Sequence, residues 1–573
     1  MKENKKQSFM INVAIILFSQ IAVKLLGMIY RMVIINMDGF GSQGNGYYNA
    51  GFQVYTLLLA ISSVGIPNAI SKMTSERNAI GDYKGAHHIF KTALALFFII
   101  GAVCSVLLYF GSDFIVNHVL SMENANGAKY VLMALSPSIL FVCLSAVIRG
   151  YFVGMSDMKA TSSSQVLEQV FKCFLTILIV WKMGQLTFYR DADMKAYCLA
   201  AGANFATTVA TVLSFLYLVW FYFRNKPKIK KNMQNNSEKT LSMPFGKMCK
   251  TILLISIPIS LGGIISAINR IVDTATITRG IQLAFAAMIP AHGKVAEILN
   301  PTMAELTKEA VRLSGELGKS DTLLNLPIAM NIAFATVLVP SIAGALKVGN
   351  KKEASEKISY SFLISILIIF PCAVGYITLA KPIYQLIYHN SASGYDLLQI
   401  SSIALIFIAL NQTISGSLQG IGKIYAPATG LFIGCVAKFI LNVILIRQPS
   451  INIYGAPISS IACQVISFSY GFTVLCRHTS IRLSLKKYIL LPLAAACAMG
   501  VSALLCYYGV MAVCPVNIIA LFAAILAAMI IYLSLVFGLR IMSVDEIMQL
   551  PAGAQLLKIL KKIGFYKNQE VTL

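Results

Sequence analysis

Apolar residues occur in long unbroken runs along almost the whole chain, and most polar residues lie between those runs. Each run is about 20 residues or longer, which is the length that an α-helix needs to cross the hydrocarbon core of a bilayer. The runs do not alternate with a period of two, so they predict membrane helices and argue against a β-barrel. Fourteen spans are predicted, at residues 9–36, 47–71, 88–110, 130–153, 162–181, 196–223, 251–277, 322–346, 358–380, 397–419, 424–446, 453–476, 488–508 and 516–538.

Composition and charge agree with an all-α polytopic membrane protein. Of the 573 residues, 57% are hydrophobic and 12% are charged, whereas a soluble domain carries about 25% charged residues. The formal net charge of +24 comes from Lys and Arg concentrated in alternate connecting segments. That asymmetry places both termini in the cytoplasm by the positive-inside rule. The basic excess therefore indicates topology and contact with membrane lipids, and we expect no nucleic-acid partner.

The cysteine spacing and the glycine-rich segments argue against metal and nucleotide chemistry. The twelve cysteines contain no CxxC pair and no metal-ligand spacing, so no metal site is expected. A GxGxxG match begins at Gly39, but it follows a membrane helix and lacks the strand that a dinucleotide site requires. No other nucleotide-binding signature is present, and we expect neither a nucleotide nor a cofactor.

An internal duplication predicts the domain organisation. Residues 136–180 align without a gap with 402–446, and the alignment pairs Gly150 with Gly416 and Lys172 with Lys438. Each half has six spans, so the halves are expected to be parallel repeats around a central cavity. The predicted regions are an N-terminal lobe at 1–223, a basic cytoplasmic linker at 224–250, a C-terminal lobe at 251–476, two further spans within 477–538 and a basic cytoplasmic tail at 539–573.

One outer loop, 279–321, is unusually long. Asn300 and Pro301 are typical of a helix start, and the following apolar residues recur at helical spacing opposite charged ones. We expect an amphipathic helix that lies at the outer surface.

Charged residues deep inside the predicted spans are the candidate site. A charge near the bilayer centre is costly and usually faces a cavity. Arg and Lys in such a cavity suit a phosphate group. The basic candidates are Lys24, Arg31, Lys172, Arg270 and Lys438, and the acidic ones, as charge partners or coupling groups, are Glu168 and Asp273.

The spacing of these charges leaves two interpretations open. Lys24 and Arg31 are two helical turns apart and share one face. Glu168 and Lys172 are spaced i,i+4, and Arg270 and Asp273 are spaced i,i+3, so each acid is in reach of a base on its own helix. The acids therefore either neutralise those neighbours or bind a coupling proton or cation. In addition, Pro67, Pro258, Pro340 and Pro371 are predicted hinge or kink positions.

Several segments resemble a known family. They are "KLLGMIYR", "LLLAISSVGIPNAISKMTSER", "SPSILFVCLSAVIRGYFVGMSDMKATSSSQVLEQVFK" and "LPIAMNIAFATVLVPSIAGA". These resemble the stage V sporulation protein B branch of the multidrug/oligosaccharidyl-lipid/polysaccharide (MOP) exporter superfamily, which is related to the MurJ lipid II flippases. The resemblance implies two six-helix lobes around a cavity, with two terminal helices bordering a groove for a polyprenyl tail. It also implies essential arginines, which Lys24 and Arg31 match in the first span and Arg270 near the start of the second lobe. The family's cation in the second span has no clear match, because Arg77 falls beyond the helix end.

The resemblance implies a non-enzymatic flippase in the bacterial cell membrane. Its expected cargo is an undecaprenyl-diphosphate-linked saccharide, most readily the peptidoglycan precursor lipid II, carried from the inner to the outer leaflet. Cell-wall synthesis proteins are possible partners, and a role in vegetative cell shape or in sporulation is left open. Two alternatives are a cation-coupled multidrug exporter of the same superfamily and a non-transporting scaffold for cell-wall synthesis enzymes.

Overall fold

The regular secondary structure of the described residues is helical throughout. The computed structural model describes residues 19, 22–60, 65–120, 126–155, 157–187, 189–235, 244–288, 303–347, 350–389, 391–479, 481, 483–549, 553–563 and 565–566, and no strand occurs among them. The helices are α1 (22–35), α2 (Gly41–Ala60), α3 (Ile66–Ala79), α4 (Tyr83–Phe114), α5 (Asn126–Gly154), α6 (Lys159–Gly184), α7 (Ala192–Asn235), α8 (Phe245–Met288), α9 (Met303–Lys347), α10 (Lys351–Ile387), α11 (Tyr395–Gly420), α12 (Ala426–Leu445), α13 (Gly455–His478), α14 (Leu491–Val513), α15 (Asn517–Gly538), α16 (Val544–Met548) and α17 (Gly553–Ile563).

Many of these helices are long and apolar enough to cross a membrane. Within the described residues nine satisfy both conditions, and a tenth does so if the two arms of α8 count as one span. The nine are α4, α5, α7, α10, α11, α12, α13, α14 and α15. The chain is therefore a polytopic helical membrane protein, and the fourteen spans stay a prediction.

Two compact units divide the chain. Unit 1 comprises Met1–Leu326 and Cys435–Ser459, and unit 2 comprises Pro327–Gly434 and Ser460–Leu573. Their boundaries differ from those of the lobes predicted at 1–223 and 251–476. The predicted linker at 224–250 is also partly helical, because α7 continues to Asn235.

Unit 1 is organised around α5, which packs against α2, α3, α4 and α7. Glycines permit the close approach of α5 to α3. A Cβ atom added to Gly150 would lie 2.7 Å from the carbonyl oxygen of Pro67, and one added to Gly154 would lie 2.7 Å from Thr74. The GxxxG spacing of the sequence thus serves helix packing.

The helix expected at the outer surface has a different structure. From Met303 it continues without interruption into the predicted eighth span, forming the 45-residue helix α9. Leu306, Ala310 and Val311 are buried. The described part of 279–321 after Met303 is therefore not a separate helix, because its apolar side packs inside unit 1, and its position at the outer surface stays a prediction. Residues 289–302 of that loop lie outside the described residues.

Unit 2 is built on α10, which packs against α11, α14 and α15. Pro371 has no N–H to donate to the carbonyl of Leu367, four residues earlier. Tyr532 on α15 donates its hydroxyl to that carbonyl at 2.9 Å. The side chain thereby satisfies a backbone acceptor that would otherwise be left unpaired in an apolar environment.

The C-terminal helices complete unit 2. Ser543 and Glu546 form a reciprocal capping box at the start of α16. Leu557 and Leu560 on α17 are buried in the core of the unit. These contacts fold part of the basic tail onto unit 2.

The four candidate hinge prolines occupy different local structures. Pro67 lies in the first turn of α3, where proline starts a helix more often than it bends one. The two arms of α8, Phe245–Ile257 and Ser260–Ala284, meet at 55°, and Pro258 lies at the break. In α10 the non-helical residue is Leu379 rather than Pro371. Pro340 lies within α9, and its side chain is outside the described set, as is that of Pro258.

Candidate functional site

Arg31 is held by side chains from two other helices. It lies on α1 and is partly buried. Its Nη2 donates to Asn49 Oδ1 on α2 at 2.6 Å, and its Nη1 donates to Thr322 Oγ1 on α9 at 3.2 Å. The guanidinium also lies 4.7 Å from the centroid of the Tyr48 ring. These contacts fix the orientation of Arg31 in unit 1 with neutral groups.

Lys172 is buried among aromatic rings. Its Nζ lies 4.7 Å from the Phe52 ring centroid and 5.5 Å from that of Tyr30. The hydroxyls of Tyr30 and Tyr48 are hydrogen-bonded at 3.0 Å. An ammonium over an aromatic face is stabilised by the quadrupole of the ring, so this environment tolerates the charge without cancelling it.

The expected same-helix pair between Glu168 and Lys172 does not form. Glu168 Oε2 instead accepts from Arg149 Nη2 on α5 at 2.8 Å, and Thr211 on α7 donates to Oε1 at 3.2 Å. Arg149 also donates through Nε to Ser164 at 2.9 Å. An arginine on another helix thus outcompetes the i,i+4 lysine, since it offers a planar donor set that the carboxylate can meet directly.

The expected same-helix pair between Arg270 and Asp273 is also replaced. Asp273 Oδ2 accepts from Lys438 Nζ on α12 at 2.5 Å, and Asn442 donates to Oδ1 at 3.2 Å. The Lys438 side chain is only 2% exposed. It also donates to the carbonyl of Asn269 at 3.4 Å. The charge of Lys438 is therefore neutralised inside unit 1.

The two lysines paired by the internal duplication each contact the residue that precedes a candidate arginine. Lys172 lies over Tyr30 on α1, and Lys438 donates to Asn269 on α8. In both places an arginine is the next residue of the contacted helix. The halves therefore share a local arrangement but differ in charge, because only Lys438 faces a carboxylate.

Further charges come together from several helices. Lys24 on α1 and Arg270 on α8 have exposed side chains and lie close enough for their charges to repel each other. Lys24 is also within electrostatic range of Lys172. Asp321 on α9 is exposed, and it lies close enough to Arg31 and Arg270 to attract both. Charged groups from four helices of unit 1 thus face a common region.

Comparison with known proteins extends this picture. A family model described as "Polysaccharide biosynthesis protein" matches residues 9–291, and one described as "Lipid II flippase MurJ" matches residues 295–544. The lipid II flippase MurJ of Bacillus subtilis (strain 168) is 26% identical over 494 residues, which cover 84% of this chain and 85% of that protein. The stage V sporulation protein B of the same organism is 23% identical over 555 residues, which cover 96% and 99%.

The chain belongs to the MOP superfamily, in the branch that resembles MurJ and stage V sporulation protein B. This superfamily is one of transporters and not of enzymes. Solved MOP structures share the fold. "Lipid II flippase MurJ, inward closed conformation" has a TM-score of 0.64 at 16% identity and covers 91% of this chain and 98% of that one. An inward-facing multidrug resistance MATE transporter has a TM-score of 0.61 at 15% identity, with coverages of 80% and 98%.

Helices α2 and α9 of this MOP protein meet in a tight seam. Asn45 Nδ2 donates to the carbonyl of Gly315 at 2.6 Å. A Cβ atom on Gly315 would overlap the carbonyl oxygen of Ser42, and one on Gly46 would overlap that of Val311. The seam therefore requires glycine on both helices.

Polar contacts surround the start of this seam. Asp193, in the first turn of α7, accepts from Tyr47 at 2.9 Å and from Gln43 at 2.5 Å. Lys195 on α7 donates to Asp38, in the loop before α2, at 2.5 Å. That hydrogen bond holds the pKa of Asp38 below its ordinary value. Ionised groups at this end of the helices are thus balanced locally.

Two charged residues of the candidate site in unit 1 were not predicted from the sequence. Arg149 lies near the end of its predicted span, where a basic residue is typical of an anchor at the membrane surface. Asp321 fell at the end of a segment predicted to be an outer loop. A helical periodicity continued past Leu317 is the signal that would have placed Asp321 on the same helix as the eighth span.

Proposed function

We propose that this MOP protein is a flippase for an undecaprenyl-diphosphate-linked saccharide, with lipid II as the first candidate. It moves the cargo from the inner to the outer leaflet of the bacterial cell membrane by alternating access. The observation that carries the proposal is the gathering of Lys24, Arg31, Lys172 and Arg270 in one region of unit 1. Such groups bind a diphosphate through charge-assisted hydrogen bonds, which are about twice as strong as neutral ones.

The four cations have different tasks in this proposal. Arg270 and Lys24 are exposed and are free to move onto the incoming diphosphate. Arg31 is held in a fixed orientation by Asn49, and Lys172 contributes a buried positive charge behind it. Lys438 takes no part in binding the cargo, because Asp273 neutralises it. Glu168 acts as a structural partner of Arg149 rather than as a coupling group.

The proposal includes the full predicted topology. It comprises fourteen spans, cytoplasmic termini, and lobes at 1–223 and 251–476 that rock against each other. The polyprenyl tail follows a groove along the last two spans, within 477–538. This location is supported by the large apolar side chains that α14 and α15 leave exposed, among them Leu505 at 70% and Ile530 at 65%.

The α2–α9 seam is assigned to the outer gate. With a cytoplasmic N-terminus, α2 and α9 both begin at the outer face, so their close contact at Gly46 and Gly315 closes the cavity on that side. Release of the cargo requires the seam to open. The break in α8 at Pro258 is the proposed hinge, with Pro340 and Pro371 as further hinge candidates. The proposed driving force is membrane potential, at about 2.3 kcal/mol per charge per 100 mV, or an ion gradient.

A matched pair of arginine variants tests this function. Purified protein is reconstituted in liposomes with labelled lipid II, and exposure of the head group in the outer leaflet is followed over time. Arg270→Ala should slow flipping at least about tenfold, since a hydrogen bond to a charged group contributes about 1.5–3 kcal/mol. Arg279→Ala, another exposed arginine on α8, is the control and should flip at the wild-type rate. Equal rates for wild type and Arg270→Ala would contradict the proposal.

Depletion of the protein in cells separates the remaining alternatives. A flippase predicts that a lipid-linked precursor accumulates inside. A multidrug exporter predicts drug sensitivity without such accumulation. A scaffold predicts that variants at Lys24 and Arg270 keep full activity in cells.

A further inference from the structure

Asp321 is an exposed carboxylate among the basic side chains of unit 1. It lies within electrostatic range of Arg31 and Arg270, and also of Asp273 and Lys438. Among the acids, Asp321 is the one that attracts Arg270 most strongly. The next residue on α9, Thr322, accepts a hydrogen bond from Arg31 Nη1 at 3.2 Å. Asp321 therefore lies on α9 directly beside a residue that is hydrogen-bonded to Arg31.

The other acid in this region is already engaged. Asp273 accepts from Lys438 and from Asn442. Asp321, in contrast, forms no ion pair of 4.0 Å or shorter with any residue that the structure describes. Its charge therefore balances the arginines at a distance, without a contact that would have to be broken first.

We propose that Asp321 is a counter-anion that competes with the diphosphate of the cargo for Arg31 and Arg270. The inference rests on the proposed function and adds a residue that sets the affinity for the cargo. In the empty cavity the carboxylate compensates the two guanidinium charges. A diphosphate entering the cavity takes over those charges and is repelled by the carboxylate, because like charges a few ångströms apart repel each other. This repulsion weakens binding and speeds release on the outer side.

Binding of inorganic pyrophosphate to the purified full-length protein tests the inference. Calorimetry should give about tenfold tighter binding for Asp321→Asn, which corresponds to about 1.4 kcal/mol, because the variant removes a like charge near the ligand. Asp321→Ser should act in the same direction, and Asp321→Glu should keep the wild-type affinity. Asp113→Asn is the control, since Asp113 is an exposed acid of unit 1 paired with Lys129.

A kinetic readout separates this role from a loss of folding. In the liposome assay Asp321→Asn should lower the lipid II concentration at half-maximal flipping and also lower the maximal rate, whereas misfolding would lower the rate alone. Pyrophosphate affinities of Asp321→Asn and Asp321→Ser equal to or weaker than wild type would overturn the inference and leave the proposed function standing. A wild-type protein that neither binds pyrophosphate nor flips lipid II would remove both.

Discussion

Removing one partner of the Asp273–Lys438 pair should be far more damaging when the buried lysine is left behind. The Lys438 side chain is 2% exposed, whereas the Asp273 side chain is 23% exposed. Asp273→Asn strands an ammonium that has no access to water, and Lys438→Met strands a carboxylate that is partly hydrated and still bonded to Asn442. The two single variants therefore differ in cost, although they break the same contact.

The magnitude follows from the geometry of the pair. At 2.5 Å and an effective dielectric constant of about 20, the gross attraction is about 7 kcal/mol. Desolvation of two ions offsets most of it, so removal of one partner typically costs about 3–5 kcal/mol. We expect Asp273→Asn to fall in that range and Lys438→Met to cost about 1–2 kcal/mol, because the remaining carboxylate keeps part of its hydration. The double variant should cost less than Asp273→Asn alone.

The assay is thermal unfolding of the purified protein in detergent, followed with a thiol-reactive dye. Unfolding of a membrane protein of this size is generally irreversible, so apparent melting temperatures are compared at one scan rate. Glu353→Gln is the control, because Glu353 and Lys357 form a half-buried surface pair within one helix that is expected to contribute about 0–1 kcal/mol. The reasoning is refuted if Asp273→Asn and Glu353→Gln have the same apparent melting temperature. It is also refuted if the loss of melting temperature in the double variant equals the sum of the losses in the two single variants.

Three further predictions concern other parts of the fold. Gly315→Val should force open the α2–α9 seam and increase labelling of a cavity cysteine by an impermeant reagent, whereas Gly262→Ala, with no atom within 4 Å of its Cβ, should not. Tyr532→Phe should cost about 1 kcal/mol in apparent stability, and adding Pro371→Ala should recover it by restoring the backbone donor. Ser543→Ala should remove the cap of α16 at a cost of about 1 kcal/mol, seen as faster local hydrogen exchange, and unchanged exchange would argue against the capping box.

Sequence pattern was sufficient for the class of protein and for most of the basic residues at the site. Long apolar runs specify membrane helices, because the bilayer imposes a minimum length and a polarity that each segment must meet alone. The same cost of burying charge identified Lys24, Arg31, Lys172, Arg270 and Lys438 as residues that need a special environment. In the structure all five lie in unit 1.

Sequence by itself did not determine how the acids are used. Spacing along one helix put Glu168 in reach of Lys172 and Asp273 in reach of Arg270, but neither pair forms. Glu168 pairs with Arg149 on a neighbouring helix instead. Asp273 pairs with Lys438, which is 165 residues away along the chain. A side chain on a helix has neighbours on its own helix and on adjacent ones, and only the packing of those helices decides which neighbour is nearer.

The position of α9 is likewise determined by the tertiary structure. The charges between Glu305 and Asp321 are typical of a surface segment, and their pattern alone favours one. Gly315 and Gly46 permit backbone contact between α9 and α2, so the segment is drawn into unit 1 and Asp321 reaches the arginines. Local periodicity depends on each helix alone, whereas this placement depends on the match between two surfaces that lie far apart in the chain.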